Sequence, residues 1–98
     1  MRVYISGPMT GIKDFNYPLF NCVAENLRAK GVDVENPAEG DFKKEMSWED
    51  YMKLAIGKLV KCDSILMLPG WEKSKGARLE FVLAHSLDFK ISTIGNFT

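Results

Sequence analysis

The chain has 98 residues, 46% of them apolar and 27% charged, with 13 basic and 13 acidic side chains that cancel. That is the composition and size of one small globular domain spanning residues 1–98, a size that gains from burying further surface in an oligomer. No net positive charge and no basic cluster exclude the electrostatic footprint of a nucleic-acid polymer or membrane-surface binder, while a small anionic ligand stays open through backbone N–H groups.

The first element is "RVYIS" (2–6), a β-branched and aromatic run stopped by Gly7-Pro8, which predicts a buried strand and not a signal peptide. "PMTGIKDFNY" (8–17) predicts a loop. A helix follows with Pro18 in its first turn and Phe20, Val23, Ala24 and Leu27 at helical spacing, closed by Lys30-Gly31. "VDVEN" (32–36) predicts a second strand, and "PAEGDFKKEM" (37–46) an exposed connection. Ser47 is a good N-cap for a second helix, with Glu49 and Asp50 in its first turn and Tyr51, Leu54, Ala55, Leu59 and Val60 on its apolar face, ending near Lys61. "DSILMLPG" (63–70) is the most apolar strand. The last helix, from about Ser74 to Leu87, is expected to bury Leu79, Val82, Leu83 and Leu87, and "KISTIG" (90–95) to form a fourth strand.

Strands alternating with helices predict an α/β fold with a parallel sheet and helices on both faces. Ligands of such folds bind beyond the carboxyl ends of the strands. Those ends here are Ser6-Gly7-Pro8-Met9, Asn36-Pro37 and Pro69-Gly70-Trp71, with the start of the last helix close behind.

Cys22 and Cys62 lie in or beside apolar segments at no metal-ligand spacing and are expected to be reduced, buried thiols. His85, the only histidine, has no cysteine or carboxylate at metal spacing. No stretch approaches the ~20 apolar residues of a membrane span. The sequence holds no Ser-His-Asp set, metal cluster or redox motif, so no metal and no cofactor is expected in a soluble, cytoplasmic domain.

Within "KSKGARLEFVLA" (73–84), Glu80 has Gly76, Ala77, Leu83 and Ala84 at its helical neighbour positions and no basic residue among them. It reads either as a solvated helix glutamate, with the small residues serving helix–sheet packing, or as a carboxylate with room beside it for a ligand. Ser74 is an N-cap that could also help hold an anion at the helix N-terminus. "SGPMTG" (6–11) stands where an anion-binding loop would, without the P-loop lysine or a dinucleotide fingerprint, and its glycines also serve plain turn geometry. Tyr4 reads as a core tyrosine with a satisfied hydroxyl; Met9 and Trp71 could stack on a base or close the core.

"VYISGPMTG", "DFNYPLFNCVAENLRAKGVDVENPAE" and "CDSILMLPGWEKSKGARLEFVLA" together resemble the small phage and bacterial domains related to nucleoside 2-deoxyribosyltransferases and 2′-deoxynucleoside 5′-monophosphate N-glycosidases. The resemblance covers nearly the whole chain. It implies a flavodoxin-like, Rossmann-like parallel sheet of four to five strands, a homo-oligomer, a nucleotide or nucleoside as ligand, and the host cytoplasm as location if phage-encoded. It further implies Glu80 as the nucleophile on the anomeric carbon of a deoxyribose, Tyr4 touching nucleophile and sugar, and Ser74 on the 5′-phosphate. The loop from Gly7 to Gly11 would help cradle that phosphate, and Gly76, Ala77 and Ala84 would leave space for the sugar. One position departs from the pattern: Ala55 stands where these enzymes carry an aspartate that assists the departing base, with Glu49, Asp50 and Asp63 the nearest acids in sequence. Two functions are therefore expected to compete, glycosidic cleavage or base exchange through Glu80 and non-catalytic nucleotide binding on the same fold.

Overall fold

The computed structural model describes residues 1–39 and 46–94. Four strands form one sheet: β1 (Arg2–Ser6), β2 (Asp33–Glu35), β3 (Ser64–Met67) and β4 (Lys90–Thr93). All pairings are parallel and the order is β2-β1-β3-β4. Three helices connect them: α1 (Tyr17–Ala29), α2 (Trp48–Leu59) and α3 (Lys75–Ser86). This is the α/β, Rossmann-like architecture with flavodoxin-type strand order, reversing direction between β1 and β3.

The period-two alternation of the strands distributes the core over both faces. Ile5, Val34 and Leu68 point to one side, where Phe20 and Ala24 of α1 pack on them with half-buried Val23 and Leu27. Tyr4, Ile65 and Met67 point to the other, against Leu59 at the end of α2 and Ala77 and Ala84 of α3. β3 is buried at every position, as expected for the central strand of a sheet covered on both faces.

Local signals set the ends of the helices. Pro18 sits in the first turn of α1, and Gly31, at φ +83°, takes the left-handed conformation that ends it. Ser47 and Ser74 both cap as expected: their side-chain oxygens accept from the N–H groups of Asp50 and Ala77. The predicted loop over 8–17 contains a tight turn at Lys13–Asn16, where Asp14, Phe15 and Asn16 have positive φ and the Asn16 amide donates to the Pro8 carbonyl at 3.0 Å.

Several expectations fail in an informative way. Leu79, Val82 and Leu87 are exposed, as are Leu54 and Val60; the inward row of α3 is Ala77, Glu80 and Ala84, and that of α2 is Met52, Ala55 and Leu59. Small residues on the inner face let α3 approach the sheet, and the branched residues fall on the outer side. Cys22 is exposed on α1, whereas Cys62 is buried and its thiol is pushed up to about 11 by that burial. Pro37, placed in an exposed connection, is fully buried; residues 40–45 of that connection and Gly95 lie outside the described residues. No helix among the described residues is long and apolar enough to cross a membrane.

Candidate active site

Parallel crossovers bring the carboxyl ends of β1 and β3 side by side and start α2 and α3 at the same edge. A pocket of about 630 Å³ lies there, at the point where the strand order reverses. The loop after β1 contributes Gly7, Pro8 and Met9, the turn after β3 Pro69 and Gly70, the start of α3 Ser74, Gly76 and Ala77, and α2 Trp48, Tyr51 and Met52. Gly7 is dictated by a close approach: a Cβ there would lie 2.7 Å from the Cβ of Leu68, which is buried and fixed on the neighbouring segment.

Glu80 lines this pocket and is only 5% exposed. Its lack of a local partner is genuine within the helix, yet the carboxyl is not unpaired. The Tyr4 hydroxyl donates to Oε2, and the Ser6 hydroxyl donates to Oε1 at 2.7 Å. Both donors are fully buried on β1, so they hold the carboxyl from behind while the pocket lies in front. Burial raises the Glu80 pKa from its ordinary 4.5 to about 7, against the opposing pull of the two hydroxyl hydrogen bonds. Tyr4 is raised well above its usual range, first by burial and then by the neighbouring Glu80 charge, so it remains a donor. The result is a preorganised carboxyl poised to change charge near neutral pH, a signature of functional sites.

The other expected residues divide. Gly7, Pro8, Met9, Gly70, Ser74, Gly76, Ala77 and Glu80 share the pocket wall, while Tyr4 and Ser6 stand beneath it. Gly11 and Trp71 are not among its lining residues. Trp71 instead closes the core, its ring stacked on Phe81 with centroids 4.8 Å apart. The small residues around Glu80 also serve packing more than space: a Cβ on Gly76 would meet the Met52 sulfur at 3.1 Å, and Ala84 is sealed in the core. Sequence reasoning missed Trp48, Met52 and the pocket role of Tyr51. It also missed Lys73 and Lys75 at the pocket, the latter with its ammonium 4.2 Å from the centroid of the Trp48 ring. Among the described residues no group of three or more His, Cys, Asp or Glu stands where it could hold a metal ion.

A family match spans this whole arrangement, from the first strand to the last, covering residues 1–93. The chain belongs to DUF4406, a domain of unknown function. No curated protein matches it. The DUF4406 match includes every residue of the pocket and both hydroxyls beneath it.

Proposed function

We propose that this domain cleaves or exchanges the N-glycosidic bond of a 2′-deoxynucleotide or deoxynucleoside through Glu80. The observation that carries the reading is the buried carboxyl of Glu80, held by two hydroxyls of β1 and presented to a pocket of nucleotide-compatible size. A carboxylate so placed can attack the anomeric carbon and divide glycosidic cleavage into two easier steps. Tyr4 and Ser6 fix its direction, and their hydrogen bonds keep part of it ionised despite burial.

The same reading places a 5′-phosphate at the first turn of α3. The Ser74 oxygen accepts from the Ala77 N–H, which leaves the hydroxyl proton available for an anion. Lys73 and Lys75 supply charge at that end of the pocket, favouring a nucleotide over a free nucleoside. The resemblance to deoxyribosyltransferases and monophosphate N-glycosidases gives the reaction class, and also the expectation of a homo-oligomer. A second copy covering the exposed Leu79 and Val82 of α3 would account for their exposure.

The test is base release from a panel of deoxynucleoside 5′-monophosphates and deoxynucleosides, with a second free base added to detect exchange. Turnover that disappears in a folded Glu80→Gln variant is the expected result. Activity that persists in that variant removes Glu80 from the mechanism.

A second reading, a nucleotide-binding protein without turnover, draws on Ala55. It is buried in α2 and is not among the pocket-lining residues, and neither are the exposed Glu49 and Asp50. Asp63 accepts from the Arg2 N–H at 2.8 Å, at the opposite edge of the sheet. Micromolar nucleotide binding with silence across the whole panel would favour this reading.

A further inference from the structure

Glycosidic cleavage needs something to receive the departing base, and the position expected to supply it is an alanine. Glu80 is the only carboxyl among the described lining residues. One turn before Ala55 on the same face of α2 stands Tyr51, which does line the pocket. Helix side chains lean toward the N-terminus, so a long residue one turn earlier reaches the pocket edge where α2 begins. The Tyr51 hydroxyl donates to the Met9 sulfur at 2.9 Å, and Met9 is itself a lining residue on the β1 loop. A thioether is a weak acceptor, so a ring nitrogen or oxygen of a ligand is a stronger partner for this donor than the Met9 sulfur.

The geometry points to Tyr51 as the hydrogen-bond donor to the departing base, in the place of a carboxylic acid. This inference rests on the N-glycosidic reading of the site. In the first step a Glu80 oxygen bonds to C1′ while the C1′–N bond breaks and its electron pair passes to the base. The Tyr51 hydroxyl donates to the base where that charge gathers. It keeps its own proton, because burial, reinforced by the Glu80 charge, holds the phenol above its ordinary range. The departing base takes a proton from water, leaving hydroxide. Hydroxide then opens the glycosyl ester, forming the sugar hydroxyl and restoring the Glu80 carboxylate. The sum is nucleotide plus water giving free base plus deoxyribose 5-phosphate.

A donor that does not pass on its proton matters most when the leaving group is poor. The experiment compares two substrates, a deoxynucleoside 5′-monophosphate and 4-nitrophenyl 2-deoxyribose 5-phosphate, whose nitrophenolate leaves without help. Tyr51→Phe should lower kcat on the nucleotide about 10²-fold, the usual consequence of losing one well-placed donor. On the nitrophenyl substrate the same variant should lose no more than about threefold, because little charge needs stabilising there. Glu80→Gln should silence both. An equal loss on both substrates would reduce Tyr51 to a packing residue, and no loss on either would remove it from the reaction; each overturns the inference. Wild-type cleavage of the nitrophenyl substrate alone would also overturn it while leaving Glu80 as nucleophile. Wild-type silence on both would overturn the N-glycosidic reading and the role of Tyr51 with it.

Discussion

Replacing Glu80 by glutamine tests the site without any knowledge of the substrate. The side chain keeps its shape, its carbonyl oxygen can accept from one β1 hydroxyl, and its amide can donate to the oxygen of the other. What disappears is the ionisation. In the wild-type protein the folded-state pKa of about 7 lies above the ordinary 4.5, so the folded state holds its proton longer than the unfolded chain. Below pH 4.5 both states are protonated and the contribution of Glu80 to stability is complete. Between about 4.5 and 7 the unfolded chain ionises first, and stability falls as pH rises. Above that window the loss levels off at about 3 kcal/mol, from 1.36 kcal/mol per pH unit over the gap between the two values. The groups facing the carboxyl are Tyr4 and Ser6 on β1 and Tyr51 on α2, with Lys73 and Lys75 at the pocket. Urea unfolding of both proteins from pH 4 to 8.5 isolates the effect, because all other titrations are shared. The glutamine variant should gain on the wild type as pH rises through the window and then run parallel to it. Curves parallel throughout would mean that Glu80 ionises as in the unfolded chain, and the buried, hydroxyl-held carboxyl would be refuted.

Tyr4→Phe removes the Oε2 donor and should raise the Glu80 pKa further, moving the stability transition to higher pH at a cost of about 1–3 kcal/mol for the lost buried partner. Gly7→Ala should destabilise by about 1–3 kcal/mol in thermal or urea unfolding, since the new methyl meets the immobile Leu68 Cβ; an unchanged midpoint would contradict the close approach of the two segments. Under the proposed homo-oligomer, Val82→Glu on the exposed side of α3 should shift the protein toward monomer in sedimentation velocity without lowering monomer stability by more than about 0.5 kcal/mol; an unchanged sedimentation coefficient would remove this side of α3 from the interface.

The fold was largely legible because its signals are local. Gly-Pro and Pro-Gly ends mark β1 and the segment after β3, serines mark the starts of α2 and α3, and β3 is a short apolar run too brief for a helix. Counting large apolar residues selects Leu79, Val82, Leu83 and Leu87 on α3, of which Leu83 packs half-buried on the core, whereas the face against the sheet is chosen by fit and carries Ala77, Glu80 and Ala84. The partners of Glu80 left no local trace. They lie 76 and 74 residues earlier on β1, and only the parallel pairing of β1 beside β3 brings them under α3. Trp48 and Tyr51 did leave a signal. A helix that follows a strand in a parallel sheet begins at the ligand-binding edge, so aromatic residues in its first turns stand at the site as do those at the strand ends.

Whether Glu80 serves binding or reaction can be decided on electrostatics. A nucleoside monophosphate is an anion, and a carboxylate beside its sugar repels it. A protein that only holds the nucleotide gains from a neutral residue at position 80, which would also spare the folded state the burial of a charge. A protein that breaks the glycosidic bond gains from the carboxylate, because positive charge grows at C1′ in the transition state and is absent in the bound nucleotide. At pH 8, where the Glu80 carboxyl is ionised, Glu80→Gln should therefore bind the monophosphate more tightly. A doubly charged phosphate about 10 Å away at an effective dielectric constant of about 20 would cost about 3 kcal/mol. Proton uptake by Glu80 at pH 8, one unit above its pKa of about 7, caps that penalty at about 1.4 kcal/mol, which corresponds to about tenfold in Kd. At pH 5.5 the wild-type carboxyl is mostly protonated and the two affinities should converge. Calorimetry at both pH values reads this directly. Weaker binding by the glutamine variant at pH 8 would make Glu80 a ground-state contact, and the non-catalytic reading of the pocket would then be the better one.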